Sequence, residues 1–124
     1  MANYTNPSVL DLALTRIATA NRLMVCAGFP TSYANLTDRK LAEKTLIPGS
    51  GNGVFTIQDR TAGGREIVVA AQSGLSVTAS GTADHVVLVN TSTQTILLAR
   101  TCANAVLTSG MQVSVPSFTH AFTD

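Results

Sequence analysis

The stretch Gly74-Leu75-Ser76-Val77-Thr78-Ala79-Ser80-Gly81 decides the fold class. Three apolar side chains alternate in it with hydroxyl side chains, and a glycine stands at each end. Because successive side chains of a strand point to opposite faces, this period of two predicts a strand with one buried and one exposed face. We therefore expect a turn near Gly74, a half-buried strand after it and a break at Gly81.

Similar short segments lie on both sides of this strand. Each is rich in β-branched or apolar residues, and turns containing Gly and Ser separate them at intervals of about ten residues. This pattern predicts a mainly β fold, an antiparallel β-sandwich or small barrel, because the strand–helix–strand alternation of a parallel sheet is missing. The segments comprise residues 23–27, 54–58, 66–71, 85–90, 95–101 and 111–115, with residues 118–122 presenting Phe118, His120 and Phe122 on one face if extended.

One N-terminal α-helix is predicted over residues 7–21. Asn6 can cap this helix, Pro7 suits its first position and Asn21 can end it. Its apolar residues recur at spacings of three and four, so they share one face, which we expect to pack on the domain's own sheet or on a neighbouring subunit. That face comprises Leu10, Ala13, Leu14 and Ile17.

The length of 124 residues predicts a single domain, residues 1–124. It divides into an N-terminal arm at 1–6, the helix at 7–21 and a β domain at 22–124. Within the β domain, residues 31–37 are predicted to be irregular. Residues 40–47 leave helix and strand open, because good helix formers at their start give way to strand formers at their end.

The composition narrows the class of partner. Apolar residues make up 45% of the chain, charged residues 12%, and the formal net charge is +1. Such a chain is not disordered, and it lacks the basic excess that nucleic-acid binding requires. No apolar run reaches the roughly 18 residues of a membrane span, and the start lacks the basic charge of a signal peptide. We expect a soluble protein made in a cytoplasm, with no nucleic-acid or membrane partner.

Residues that carry chemistry are sparse. His85 and His120 are far apart, and Asp84 and His85 should point to opposite faces of one strand, so no metal site is expected. Gly-x-Ser-x-Gly is absent, and the Gly-rich residues 48–53 lack the lysine and the following helix of a phosphate-binding loop. We therefore expect no enzymatic activity and no cofactor.

The two cysteines, Cys26 and Cys102, lie in or beside apolar runs. Two buried thiols are the favoured interpretation, because a cytoplasm keeps thiols reduced. A disulfide between the two is the alternative, and the sequence leaves it open.

Two features are candidates for partner contact. Arg60 and Arg65 flank Gly63-Gly64 of a predicted hairpin, where they can pair with Asp59 or Glu66 or donate to the carboxylates of a partner. The N-terminal arm is the second candidate, since termini are often ordered only when something ties them down. The predicted partner-binding residues are Ala2, Asn3, Tyr4, Thr5, Asn6, Arg60 and Arg65.

The order of these segments resembles that of small virion structural proteins of tailed bacteriophages. The similarity runs through FTIQD at 55–59, GREIVVAAQ at 64–72 and SGTADHVVLV at 80–89. It continues through LLARTC at 97–102, AVLTSG at 105–110 and VSVP at 113–116. The opening also fits, with a Val-Leu-Asp helix, a Leu-x-Val-Cys strand and a Pro-Thr-Ser-Tyr turn.

The resemblance implies a component of the virion, made in the host cytoplasm and without enzymatic activity. Capsid decoration (cement) is favoured, because such proteins are typically small, β-rich, present in many copies and often trimeric, and they bridge neighbouring capsid subunits. The expected partners are the major capsid protein or other virion proteins, and further copies of the chain, with a trimer as one candidate homo-oligomer. A tail, head–tail junction or fibre-base protein, and a host-binding module, are the alternatives. No catalytic residues carry over.

Overall fold

A computed structural model describes residues 7–60 and 63–122 of the chain. Over these residues the protein is mainly β, with two antiparallel sheets and an N-terminal helix, which confirms the predicted fold class. In chain order the elements are α1 (Pro7–Ile17), β1 (Arg22–Cys26), α2 (Tyr33–Arg39), β2 (Lys40–Thr45), β3 (Phe55–Asp59), β4 (Arg65–Val69), β5 (Gln72–Val77), β6 (Gly81–Asn90), β7 (Thr95–Leu107), β8 (Gln112–Val115) and β9 (Phe118–Phe122).

The larger sheet has the order β7-β6-β1-β2-β5-β8 and curls into a half-barrel. Its central strands are buried on both faces. Leu23 and Val25 of β1 point into the main core, whereas Met24 and Cys26 belong to a second cluster on the other face. Burial on both faces explains why β1 is a continuous apolar run, unlike β5, where Leu75 and Val77 are buried as the alternation predicts.

The second cluster is covered by α2, which the sequence did not predict. Residues 31–37 were expected to be irregular, and that expectation is wrong. The Ser32 side chain accepts a hydrogen bond from the Asn35 backbone N–H at 3.1 Å and caps the helix, and Leu36 buries its side chain against β1 and β6. With seven residues α2 is too short to be stable alone, so tertiary packing selects it.

The smaller sheet has the order β3-β4-β9 and closes the main core. At its first hairpin, Gly63 and Gly64 have φ of 100° and 90°, so the predicted glycine turn is confirmed. α1 packs against this sheet, and Leu10, Leu14 and Ile17 of the predicted face are buried within the chain. Ala13, which was predicted on the same face, is exposed.

The two ends of α1 lie at opposite ends of the smaller sheet. Near the start of the helix, Asp11 binds Arg65, which pairs across the strands with Phe122. The helix start is therefore at the Phe122 end of β9.

The other end of α1 lies near Phe118. The carbonyl of Ala18 accepts a hydrogen bond from Gly49 N–H at 2.8 Å. Ser50, which follows Gly49, forms a β-bridge with Phe55. Phe55 pairs with Val69, and Val69 pairs with Phe118. The helix therefore runs from the Phe122 end of the sheet towards its Phe118 end.

The predicted helix 7–21 extends too far, because α1 ends at Ile17. Asn21 directly precedes β1 and is hydrogen-bonded like a strand residue: its N–H donates to Val89 O at 3.0 Å and its carbonyl accepts from Leu46 N–H at 2.8 Å. These hydrogen bonds take the place of the intrahelical hydrogen bonds that Asn21 would form if the helix continued, so α1 does not extend to this residue. The predicted cap Asn6 and the arm 1–6 lie outside the described residues.

Boundaries along the larger sheet also differ from the predictions. Of residues 40–47, left open between helix and strand, Lys40–Thr45 form β2, which pairs with β1 on one side and with β5 on the other. The turn expected near Gly74 is instead an irregularity inside β5, where the register shifts between Gln72 and Leu75. The strand ends at Val77 rather than at Gly81, and Gly81 begins β6. A Cβ atom at Gly81 would lie 3.1 Å from the Leu41 side chain, so close packing explains the glycine there.

β6 and β7 form the longest strand pair, and β7 extends six residues beyond the predicted segment. The register shifts twice along it, between Leu88 and Val89 and between Ala83 and His85. Each shift places more residues on β7 than on β6, which bends the strand and strengthens the curl of the sheet.

Candidate partner-binding groove

An apolar groove lies where the curled sheet fails to close. β7 and β8 are the outermost strands of the larger sheet, and residues from both line the groove, together with Phe118 of the smaller sheet. Its volume is about 320 Å³. An unpaired sheet edge next to an apolar surface is a typical site for contact with another protein.

The groove has an apolar floor and a mixed rim. The floor is buried and consists of Val25, Ala83, Val86, Leu107 and Val115. The rim is more exposed and adds Thr101, Cys102, Ala103, Ala105, Val113, Ser114 and Pro116. This second set supplies hydroxyl groups and small side chains.

Arg100 is the one charged side chain that the described residues contribute to the groove, and it is held in place. Its guanidinium lies over the Phe118 ring, 5.4 Å from the centroid, and donates to the Thr119 carbonyl. Burial lowers the pKa of the nearby His120, and the charge of Arg100 lowers it further. His120 in turn packs edge-on against Phe122, at 5.2 Å between ring centroids.

The thiols do not form a disulfide; Cys26 is buried and Cys102 is partly buried. Burial raises the pKa of Cys26 to about 11, and the charge of Asp84 contributes to the rise. The pKa of Cys102 in the groove is also raised, first by burial and then by Asp84. Both thiols are therefore protonated at neutral pH and are poor nucleophiles. The alternative of a disulfide is not realised in this structure.

The predicted site residues lie away from the groove. Arg65 binds Asp11 through two hydrogen bonds, at 2.7 and 3.1 Å, and Asp59 at 2.8 Å. These hydrogen bonds, Asp11 first, raise the pKa of the Arg65 guanidinium. The pairing with Asp59 is as predicted, and the one with Asp11 ties α1 to the sheet.

Arg60 interacts locally, donating from its side chain to the Gly63 carbonyl at 3.3 Å. Both arginines are at the hairpin end of the smaller sheet, whereas Phe118 in the groove is at the other end. Ala2, Asn3, Tyr4, Thr5 and Asn6 lie outside the described residues. Contact of these seven residues with a partner stays a prediction.

The side chains of Asp84 and His85 contact each other, and the sequence analysis predicted their relative orientation wrongly. The two side chains were expected on opposite faces, yet Asp84 Oδ1 lies 2.8 Å from His85 Nδ1. The cause is the register shift between Ala83 and His85, which interrupts the regular alternation of β6. Asp84 also accepts a hydrogen bond from Gly28 N–H at 2.6 Å. These two hydrogen bonds, His85 first, lower the pKa of Asp84.

Over residues 7–60 and 63–122, no group of three or more His, Cys, Asp or Glu side chains could hold a metal ion. In the same part of the chain, no helix is long and apolar enough to cross a membrane. Comparisons with protein-family models, with curated proteins and with solved structures give no match to this chain.

Sequence reasoning missed the groove, although one signal for it is present. Residues 101–107 carry no charged side chain and lie in an edge strand, and Val106 is 78% exposed. Apolar residues without charged neighbours in a strand normally indicate burial. Here only the pairing order shows that β7 is an edge.

Proposed function

We propose that this protein is a structural component of a bacteriophage particle, and specifically a capsid decoration protein that binds the assembled head and stabilises it. The observation that carries the proposal is the open apolar groove at the edge of a β domain with few charges. It is supported by the resemblance of the segment order to small virion proteins. The major capsid protein is the proposed partner, and the virion is the proposed location.

The physical role follows from how a shell fails. A capsid under internal pressure opens at the junctions between its subunits. A rigid domain bound across a junction adds contacts that must break before the junction opens. Because many copies act on one shell, each contact contributes modestly and the sum is large. A chain in which only 12% of the residues are charged suits such contacts, since few charges lose their water on binding.

The proposal includes no catalytic step. The described groove lining contains Thr101, Cys102 and Ser114 but no His, Asp or Glu that could activate them. Activation of a hydroxyl or thiol needs a base within hydrogen-bonding reach. The groove is therefore proposed to bind rather than to react.

Copy number on purified particles tests the proposal. Quantitative mass spectrometry of the particles, with the major capsid protein as internal standard, gives the ratio of the two chains. A ratio near that of the capsid subunits, together with density on the outer face of the shell, supports decoration. A few copies at one vertex or along the tail would instead establish the junction, fibre-base or host-binding alternative. Absence from the particle would refute every virion role.

A further inference from the structure

The size and lining of the groove suit the binding of one aromatic side chain. Its 320 Å³ lies at the lower end of the roughly 300–1,000 Å³ of ligand pockets. Val86 and Leu107 offer an apolar floor, while the exposed hydroxyl groups of Thr101 and Ser114 stand at the rim. A tyrosine combines an apolar ring with a polar tip, so it suits such a lining better than a wholly apolar side chain does.

Five of the six aromatic residues lie in the described part of the chain and make packing contacts there, although Phe29 is 58% exposed. Phe55 is fully buried, Phe118 lines the groove, Phe29 and Phe122 pack edge-on against histidines, and Tyr33 packs on the second cluster. The sixth is Tyr4, in the arm 1–6. The arm has no charged side chain. This matches a groove to which the described residues contribute one charged group, Arg100, whose guanidinium already contacts Phe118 and Thr119.

The length of the arm decides whose groove Tyr4 reaches. Phe118 in the groove is four residues from Phe122, about 13 Å along the strand. Asp11 lies near the Phe122 end, and Pro7 precedes it by about one helical turn. Because α1 runs from the Phe122 end towards the Phe118 end, Pro7 is about 6 Å further from the groove than Asp11 is. Three residues separate Tyr4 from Pro7. Fully extended they span about 10 Å and the tyrosine side chain adds about 6 Å, so the ring reaches about 16 Å, against the roughly 19 Å from Pro7 to Phe118. Tyr4 therefore falls short of the groove of its own chain.

We propose that Tyr4 of one copy inserts into the groove of a second copy. The inference deepens the proposed function and rests on it in one respect, namely that several copies lie side by side on the shell. Arm and groove are different surfaces, so the contact is heterologous, and a closed ring, such as a trimer, satisfies every arm and every groove.

Two substitutions test the two halves of the contact. Tyr4→Ala removes the ring, and Ala105→Lys places a charge on the exposed rim of the groove. The matched control is Val106→Lys, the next residue of β7, which is exposed but does not line the groove. Light scattering after size exclusion should give an oligomer for the natural chain and for Val106→Lys. Tyr4→Ala and Ala105→Lys should each give a monomer of 12.9 kDa.

Mixing the two monomeric variants shows whether the arm binds the groove of a second copy or the groove of its own chain. Ala105→Lys keeps an intact arm, and Tyr4→Ala keeps an open groove, so the mixture should form a heterodimer through one arm and one groove. Unchanged circular dichroism spectra of the single variants show that both are folded. If the mixture stays monomeric, or if Tyr4→Ala remains an oligomer, the proposal is overturned.

Cys102 reports directly on the groove. Its labelling by a maleimide should be slowed about fourfold in the natural chain at a total protein concentration ten times the dissociation constant of the contact, because about a quarter of the grooves are then free, and Tyr4→Ala should abolish this slowing. Protection that does not change on dilution would mean that the arm covers the groove of its own chain, which contradicts the proposal. These measurements use the purified chain alone. Their failure would leave the copy number on particles, and with it the proposed function, unaffected.

Discussion

Asp84 connects two elements that are distant in the sequence. Its carboxylate accepts a hydrogen bond from Gly28 N–H in the loop after β1 and lies beside His85 of β6. Hydrogen bonds to the ionised form lower the pKa of Asp84 below its ordinary value of 3.8. The folded state therefore binds this proton less tightly than the unfolded state does.

We expect Asp84→Asn to reduce the acid sensitivity of the fold. Because the folded-state pKa is depressed, the carboxylate stabilises the native state above pH 3.8, and that contribution is lost as the pH falls through the folded-state pKa. The urea midpoint of the natural chain should therefore drop more between pH 7 and pH 3 than that of Asp84→Asn. Asp38→Asn, at an exposed carboxylate of α2, serves as the control and should keep the full drop. Equal drops for the natural chain and Asp84→Asn would contradict the assignment.

At the scale of the element, α1 offers two leucines with opposite surroundings. Leu14 is fully buried against the main core, whereas Leu12 on the same helix is 71% exposed. Leu14→Ala should lower the free energy of unfolding by about 2–5 kcal/mol, since it removes a buried side chain and leaves a cavity. Leu12→Ala should change it by no more than about 0.5 kcal/mol. Urea unfolding of both variants checks this, and similar losses would mean that α1 does not pack through the Leu14 face.

For the whole molecule, the question is whether the two buried clusters unfold together. Leu14 belongs to the main core and Cys26 to the cluster under α2, on the other face of the larger sheet. If the chain is one domain, as its length predicts, Cys26 becomes accessible only when the whole domain unfolds. Leu14→Ala should then speed the labelling of Cys26 roughly thirtyfold or more, in proportion to its loss of stability.

Peptide mapping by mass spectrometry distinguishes Cys26 from Cys102 in this experiment. Labelling of Cys26 at the natural rate in a clearly destabilised Leu14→Ala variant would show that the cluster under α2 opens independently. The expectation of a single cooperative domain would then be wrong.

The parts of the fold that the sequence predicted are those in which local pattern and burial agree. Leu75 and Val77 alternate and are buried on one face, and Gly63 and Gly64 take the positive φ that their turn needs. The helix α2 was missed, because Leu36 gains its stability from strands that are distant in the sequence. Tertiary hydrogen bonds likewise shortened α1 at Asn21.

The site was less predictable than the fold. The pairing of Arg65 with Asp59 follows from hairpin geometry, whereas its pairing with Asp11 depends on how α1 crosses the sheet. The groove depends on which strands are outermost, and alternation determines the faces of a strand but not its neighbours. The contact between Asp84 and His85 depends on a register shift that residue types alone do not reveal.

The bent course of β7 also bears on whether the exposed edge of the larger sheet can promote aggregation. A long, straight, uncharged edge strand presents a regular row of N–H and C=O groups, onto which further chains can stack without limit. The two register shifts of β7 twist this row and interrupt its spacing. The edge thus leaves the apolar side chains of the groove accessible while offering a poor template for fibril growth.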